Sequence, residues 1–159
     1  EAYCIQRGVI RAQKPGPEMT VFVLDNSVAM RWLLASNKAS DQRYAELVLK
    51  SFTGAEALVP NLWHLEAANV LLGALNRKDL EVSEVERFTV QLENLPVSVD
   101  TLTARQVFGH TISLAKAYRL SSYDAAYLEL ALRTGLPLAT LDKGLIKAAR
   151  RSDVEIYLK

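Results

Sequence analysis

The sequence predicts an α/β fold in one domain, with a central parallel sheet covered by helices on both faces. Short apolar runs alternate with longer segments of helical spacing, which is the pattern of successive β-α units. The first run, residues 21–24, is apolar without interruption, as in a strand buried on both faces. The length of 159 residues suits a single core. In such folds, ligands bind at the carboxyl ends of the strands.

The first elements follow from this pattern. The strand at residues 21–24 is followed at Asp25 by a cluster of helix-capping residues. Apolar residues at helical spacing then predict helices over residues 28–35 and 41–52. Residues 58–59 are a short strand candidate.

Two longer helices come next along the chain. Pro60 suits a first helical turn and precedes a long apolar helix predicted over residues 62–75. A capping box from Ser83 to Glu86 predicts a further helix over residues 83–95.

The remaining segments continue the alternation. A strand at residues 97–99 precedes a helix over residues 103–118. A second capping box, which opens at Ser121, begins a helix that reaches Arg133 and closes at Gly135. The last three elements are a strand, a helix and a strand, predicted over residues 136–140, 142–151 and 154–158.

The composition excludes several classes of protein. Half of the residues are apolar, 23% are charged and the net charge is +1, so the chain is neither disordered nor drawn to nucleic acid or membrane by overall charge. No apolar stretch is free enough of polar residues to span a bilayer. The single cysteine, Cys4, cannot form an internal disulfide, which suits a reducing compartment. We therefore expect a cytoplasmic protein without a membrane partner.

Residues 1–18 differ in character from the rest of the chain. They lack an apolar run, end in a Pro-Gly-Pro sequence at residues 15–17 and stop just before Met19. We interpret them as an appended leader, either vector-derived or an upstream extension, and place the domain at residues 19–159.

Common nucleotide-binding and catalytic motifs are absent from the sequence. There is no Gly-x-Gly-x-x-Gly run and no Gly-x-x-x-x-Gly-Lys loop. The only histidines, His64 and His110, have no neighbouring cysteine or glycine motif that would make a triad or a zinc site. Carboxylates therefore remain as the candidate chemical groups.

Four carboxylates stand where the predicted map places the crevice. Asp25 and Asp142 follow strands, Asp124 lies in the first turn of a helix, and Glu66 interrupts an apolar helix. Each aspartate also has a plain interpretation as a helix cap. Glu66 has another, as part of a solvated stripe with Asn69 and Gly73.

A cluster of these four acids makes chemical sense only around a cation, because the carboxylates repel one another. Oxygen-only ligands select Mg²⁺ or Mn²⁺ over zinc. Mg²⁺ usually binds few protein carboxylates together with phosphate oxygens, so the expected substrate carries phosphate.

The segments around the four acids resemble the acidic motifs of PIN-domain ribonucleases, and most closely those of VapC-type toxins from toxin–antitoxin pairs. The similar segments, in motif order, are residues 23–32, 65–71, 122–128 and 139–142. The resemblance implies a PIN-like three-layer α/β/α fold with a mostly parallel sheet of four or five strands. One departure is Asn26, where a small or hydroxyl residue is more usual.

The resemblance also implies a function and its participants. Asp25, Glu66, Asp124 and Asp142 would hold Mg²⁺ or Mn²⁺ for hydrolysis of an RNA phosphodiester bond, as catalytic residues. Ser27 and Thr140 match positions that orient the carboxylates or water. The implied partners are a transfer or ribosomal RNA substrate, a small DNA-binding antitoxin and a second copy of the chain in a homodimer.

A run of basic residues begins beside Asp142. Lys143, Lys147, Arg150 and Arg151 recur at helical spacing, so we expect them to share one helix face. Such stripes are commonly plain solvated surface, but this one lies next to the predicted site and suits contacts with the RNA backbone.

Two alternatives from other classes stay open. A haloacid-dehalogenase-like phosphatase also has an aspartate after its first strand, but it needs a second one where Ser27 stands. A PIN-like module that binds RNA without cutting it would keep the fold and lose acids, whereas all four acids are present here.

Overall fold

The computed structural model describes residues 19–159, and the predicted leader at residues 1–18 lies outside the described residues. A four-stranded sheet, parallel throughout, runs through the domain in the order β3-β2-β1-β4 and is flanked by helices. The predicted α/β class with a central parallel sheet is confirmed. Within residues 19–159, no helix has the length and apolar character needed to cross a membrane.

The central strand explains the uninterrupted apolar run. Strand β1 (Thr20–Leu24) pairs with β2 (Ala55–Val59) on one side and with β4 (Leu138–Ala139) on the other. Strand β3 (Val97–Val99) pairs with β2 at the far edge. The side chains of residues 22–24 are fully buried, because helices cover a central strand of a parallel sheet on both faces.

The strand predictions need three corrections. Strand β2 begins at residue 55 instead of 58, and β4 has two residues instead of the five predicted at 136–140. The strand predicted over residues 154–158 is wrong, because only Ile156 forms a bridge, with Leu138. Asp153 and Leu158 have φ angles of 58° and 57°, which lie outside the extended region and limit this segment to one bridge.

The first helices lie close to their predicted places. Helix α1 (Asn26–Ala29) begins directly after Asp25 and continues as a 3₁₀ turn, Met30–Trp32, so the helix predicted at 28–35 both starts and ends earlier. It is followed by α2 (Ala39–Ser51), α3 (Trp63–Asn76) and α4 (Val82–Glu93). The capping box of α4 is formed by Glu81 and Glu84 instead of starting at Ser83, because the Glu81 N–H donates to the Glu84 carboxylate at 2.8 Å.

The later helices include a local change of geometry. The helix predicted at 103–118 consists of α5 (Thr103–Gln106), a π-helical segment (Val107–Thr111) and α6 (Ile112–Tyr118). Helix α7 (Ser122–Thr134) is capped by Ser121 and closed by Gly135 at φ 67°, as predicted. Helix α8 (Lys143–Arg151) has Asp142 as its N-cap.

The order of the strands determines where a site can form. The chain moves from β1 outward to β2 and β3, and then returns to the opposite side of β1 with β4. The carboxyl ends of β1 and β4 therefore flank the point where the strand order reverses, which is where α/β sheets bind ligands. Asp25 follows β1 directly at this point, and Thr140 follows β4.

Candidate active site

Asp25 is the buried acid at the reversal point. Its side chain is 6% exposed, although it stands at a helix N-cap position, and it accepts no bond from the helix backbone. Its Oδ2 atom accepts hydrogen bonds from the Ser27 hydroxyl at 2.5 Å and the Thr140 hydroxyl at 2.7 Å. Two hydroxyl groups thus fix the orientation of this carboxylate.

The same two hydroxyls connect the ends of β1 and β4. The Leu141 N–H donates to Ser27 Oγ at 2.9 Å, and the Asp142 N–H donates to Thr140 Oγ1 at 3.0 Å. Each hydroxyl therefore donates to Asp25 and accepts from the chain after β4. This arrangement ties Asp25 to the segment that carries Asp142.

Glu66 is held by a second set of polar groups. It lies in the first turn of α3, nearer the helix start than its apolar surroundings in the sequence suggested. The Tyr127 hydroxyl donates to its Oε2 atom. The Asn26 amide donates to the Trp63 carbonyl at 2.8 Å and to the Tyr127 oxygen at 3.3 Å, which fixes the start of α3. Glu66 is half-buried and bonded to Tyr127, whereas Asn69 is exposed.

Asp124 and Asp142 both bond to groups at helix starts, as their plain interpretation predicted. Half-buried Asp124 accepts a hydrogen bond from the Ser121 hydroxyl at 2.7 Å, while its own N–H donates to Ser121 Oγ at 3.0 Å. The exposed Asp142 accepts from the Leu145 N–H at 2.7 Å. These cap bonds are compatible with a further role, because each carboxylate has two oxygens and several acceptor positions.

Three of the acids influence one another electrostatically. The pKa of Asp25 is raised from 3.8 to about 6, mainly by burial and to a smaller extent by the charges of Glu66 and Asp124, against the lowering effect of its two hydroxyl donors. Burial also raises the pKa of Glu66, and the charge of Asp124 acts in the same direction. The pKa of Tyr127 is raised by burial and then by the charge of Asp25. The ionised forms of Asp25, Glu66 and Tyr127 are therefore all destabilised.

The side chains suit a hard cation chemically but are not closed around one. Within residues 19–159, no three histidine, cysteine or acidic side chains are grouped tightly enough to hold a metal ion as they stand. Each of the four carboxylates accepts a hydrogen bond from a hydroxyl or a backbone N–H group. All their donor atoms are oxygens, and a cation would offset the burial that raises the pKa of Asp25.

Comparison with known proteins identifies the family. The model of the PIN domain matches residues 22–151, which is most of the chain. The chain belongs to the PIN-domain family. PIN domains are generally metal-dependent nucleases. Among curated proteins, no relative matches this sequence.

A solved structure supports the fold of this PIN domain. The crystal structure of PAE2754 from Pyrobaculum aerophilum is similar with a TM-score of 0.59 and 19% sequence identity. The similarity covers 84% of this chain and 83% of that one. At this identity the likeness shows a shared fold only.

The basic residues of α8 do not all line the same cavity. Lys143, Lys147, Arg150 and Arg151 are all exposed, as predicted. However, Lys147 and Arg151 line a cavity on the side of α6, whereas Arg150 lines another cavity together with residues 153–156 and Lys159. At 3.6 residues per turn the four side chains lie within about 100° of one another around the helix axis, so the expected shared face stays a prediction.

Two residues of this PIN domain were not predicted to take part in the site. Tyr127 stands three residues after Asp124 on α7, so helical spacing alone could have placed both on one side of that helix. Asn26 stood out in the sequence only as a departure from the family. In the structure it is buried and connects Trp63 to Tyr127, and its Oδ1 atom has no hydrogen-bond partner within residues 19–159.

Proposed function

We propose that this PIN domain is an endoribonuclease that hydrolyses RNA phosphodiester bonds with Mg²⁺ or Mn²⁺. The observation that carries this proposal is Asp25, a buried carboxyl with its pKa raised to about 6, coupled to Glu66 and Asp124. No lysine or arginine within residues 19–159 forms a salt bridge with any of the three. An acidic centre without an internal cation is suited to a cation from outside.

Four acids would hold the ion, either directly or through water: Asp25, Glu66, Asp124 and Asp142. When bound, such a metal lowers the pKa of water and neutralises charge that develops at phosphorus. Ser27 and Thr140 keep the Asp25 carboxylate in one orientation by donating to its Oδ2 atom. Tyr127 does the same for Glu66, and Asn26 keeps the start of α3 in place.

More specifically, we propose that the protein is a VapC-type toxin that acts in the cytoplasm on transfer or ribosomal RNA. Its proposed protein partners are a small DNA-binding antitoxin and a second copy in a homodimer. Exposed apolar side chains support a protein partner. Leu65 and Leu72 lie two turns apart on α3 and are 76% and 58% exposed, and Phe108 in the π-helical segment is 90% exposed.

The homodimer can be tested by analytical ultracentrifugation. We expect the parent to sediment as a dimer and a double variant, Leu65→Ser with Leu72→Ser, to sediment as a folded monomer. A parent that stays monomeric at all concentrations would contradict this part of the proposal.

The nuclease proposal is tested with purified protein and total RNA, incubated with Mg²⁺, with Mn²⁺ or with EDTA, followed by mapping of new 5′ ends. We expect discrete new ends with metal and none with EDTA. Glu66→Gln should remove them, whereas the matched variant Glu93→Gln, an exposed residue at the end of α4, should cut like the parent.

Other outcomes favour the alternative functions. RNA binding without any metal-dependent cleavage would indicate a non-catalytic PIN module. Release of phosphate from small phosphomonoesters, with intact RNA, would indicate a phosphatase of the haloacid-dehalogenase type. Equal cleavage by Glu66→Gln and the parent would show that the acidic centre is assigned wrongly.

A further inference from the structure

A basic cavity lies between the end of α6 and helix α8. Its volume is about 510 Å³. The lining includes three cationic side chains and no acidic one: Arg119 from the end of α6, and Lys147 and Arg151 from α8. Positive charge from two separate elements therefore converges on one concave surface.

The three cations have no internal counter-charge. None of them forms a salt bridge with any residue in the range 19–159. The Arg151 guanidinium lies 5.3 Å from the centre of the Tyr118 ring, which orients it at the cavity wall. Like charges held together without a partner are stabilised by an anion, and guanidinium groups suit phosphate in particular.

Arg119 has a backbone conformation that residues other than glycine rarely adopt. It ends α6 in the left-handed conformation, at φ 55° and ψ 46°, where glycine is the usual residue. The Leu120 N–H closes this turn on the Ala115 carbonyl at 3.0 Å. A side chain at this position adds strain that glycine would avoid, and here the side chain is a cation that lines the cavity.

The cavity adjoins the acidic centre. Gly144 is part of its wall, and a Cβ atom built on this glycine would lie 3.2 Å from Asp142 Oδ1 and 3.8 Å from the Leu120 side chain. Leu120 in turn precedes Ser121, which bonds to Asp124. Two of the four acids therefore flank a concentration of positive charge.

We propose that Arg119, Lys147 and Arg151 bind a backbone phosphate of the substrate RNA, one that neighbours the phosphate to be cut. This inference rests on the proposed function in taking RNA as the substrate. The cations hold the chain at the cavity while the acids work on the next linkage. Because they contact phosphate and not the bases, they position the RNA without reading its sequence.

The first test is binding of a short, fluorescently labelled single-stranded RNA in EDTA, measured by anisotropy over a series of KCl concentrations. We expect Arg119→Gly to weaken binding about tenfold. The plot of log K for RNA binding against log salt concentration should become less steep by about 0.7, the value for one phosphate contact on a single strand. The melting temperature of this variant should rise, because glycine relieves the strain.

The matched control for Arg119→Gly is Lys78→Gly. Lys78 also follows a helix in the left-handed conformation, at φ 60°, and the Asp79 N–H closes its turn on the Ala74 carbonyl at 2.9 Å, as the Leu120 N–H does on Ala115. It lies at the far end of α3 from Glu66, about 18 Å along the helix axis. Like Arg119→Gly, the Lys78→Gly substitution removes one positive charge and relieves the strain of a left-handed backbone conformation. This variant should bind RNA like the parent.

The second test separates the cavity from the rest of α8. We expect Lys147→Gln and Arg151→Gln each to weaken RNA binding, and Arg150→Gln to weaken it less than Arg151→Gln. Arg43→Gln, on the exposed side of α2, is the control for loss of charge alone. If Arg150→Gln is as harmful as Arg151→Gln, the whole helix and not the cavity binds, and the proposal is overturned.

Failure of this inference is distinguishable from failure of the nuclease proposal. If the parent binds RNA through the three cations but never cuts it with Mg²⁺ or Mn²⁺, the nuclease proposal fails and the phosphate site stands. If the parent cuts RNA and Arg119→Gly cuts it with unchanged KM, the phosphate site fails. A parent that binds no RNA in EDTA, or an Arg119→Gly variant that loses only a protein partner, also overturns the phosphate site.

Discussion

Two buried aspartates, Asp25 and Asp100, each follow a strand at the carboxyl edge of the same sheet, and they differ in whether a cation of the chain pairs with them. Asp100 follows β3 and is 8% exposed, much as Asp25 follows β1. Arg133 bonds to Asp100 at 2.9 Å and to the buried Glu129 at 2.8 Å. Burial acts to raise the pKa of Asp100, but the Thr103 hydroxyl and Arg133 outweigh it and hold this pKa below its usual value.

The comparison shows that burial alone does not decide the direction in which the pKa of a carboxyl group moves. Asp100 has its cation within the chain, so its charge contributes to the fold. Asp25 has hydroxyl donors but no cation, and its pKa moves in the opposite direction. We infer that a buried carboxylate without an internal cation is the one to examine for an external ligand.

The largest expected effect comes from removing Arg133, the cation that pairs with Asp100 and Glu129. Arg133→Met leaves Asp100 and Glu129 buried without a counter-charge, so the free energy of unfolding should fall by about 3–5 kcal/mol. Urea denaturation at pH 7 measures this. The control is Arg77→Met, which breaks an exposed ion pair with Asp79 and should cost less than about 1 kcal/mol. Equal losses in the two variants would refute the contrast between Asp100 and Asp25.

The next effect concerns RNA cleavage at the acids of the candidate active site. Asp25→Asn and Asp124→Asn should each reduce metal-dependent RNA cleavage at least about 100-fold, because they remove a ligand charge from the acidic centre. Circular dichroism should show an unchanged fold. Asp100→Asn is expected to lower stability and keep cleavage in the folded fraction. Cleavage at the parent rate by Asp25→Asn would show that this acid is not part of the site.

A smaller effect is expected on stability as a function of pH. The native state binds the Asp25 proton up to about pH 6, whereas the unfolded chain releases it near pH 3.8, so stability is lost as the pH rises through this range. In EDTA at pH 7, Asp25→Asn should therefore be more stable than the parent by about 1–3 kcal/mol. The gain should disappear as the pH falls to about 4. A gain that is constant with pH would contradict the burial of a charge at Asp25.

The smallest effect is expected from the leader. Asp25, Asp100 and their hydrogen-bond partners all lie after position 24, so deletion of residues 1–18 should change neither the melting temperature nor cleavage. Calorimetry and the RNA assay check this. A melting temperature lower by several degrees would mean that the leader packs on the domain.

Local patterns accounted for most of the fold. The run at residues 21–24 and the caps at Ser121 and Asp142 were predicted because each depends on neighbouring residues only. The false strand at 154–158 has apolar residues in alternation, and nothing in that pattern reveals the left-handed backbone at its two ends. Strand length also depends on which partner is available, and the sequence does not state this.

The sequence could nominate the acids of the candidate site, and their role there stays a prediction. Their places at strand ends and helix starts mark Asp25, Asp124 and Asp142. Their hydrogen-bond partners were less accessible, since Asn26 and Tyr127 are 101 residues apart and no periodic pattern connects them. The pairing of Arg133 with Asp100, across 33 residues, was missed for the same reason.

The bond from Thr140 to Asp25 spans 115 positions of the sequence, which has a consequence for biosynthesis. At roughly 5–20 residues per second, the ribosome adds β4 roughly ten seconds after β1. Until then the nascent chain has three of its four strands, an uncovered edge on β1 and an Asp25 carboxylate that lacks one of its two hydroxyl donors. The candidate site is therefore among the last parts of the protein to be completed, and a chain released before β4 has Asp25, Glu66 and Asp124 but lacks Thr140 and Asp142.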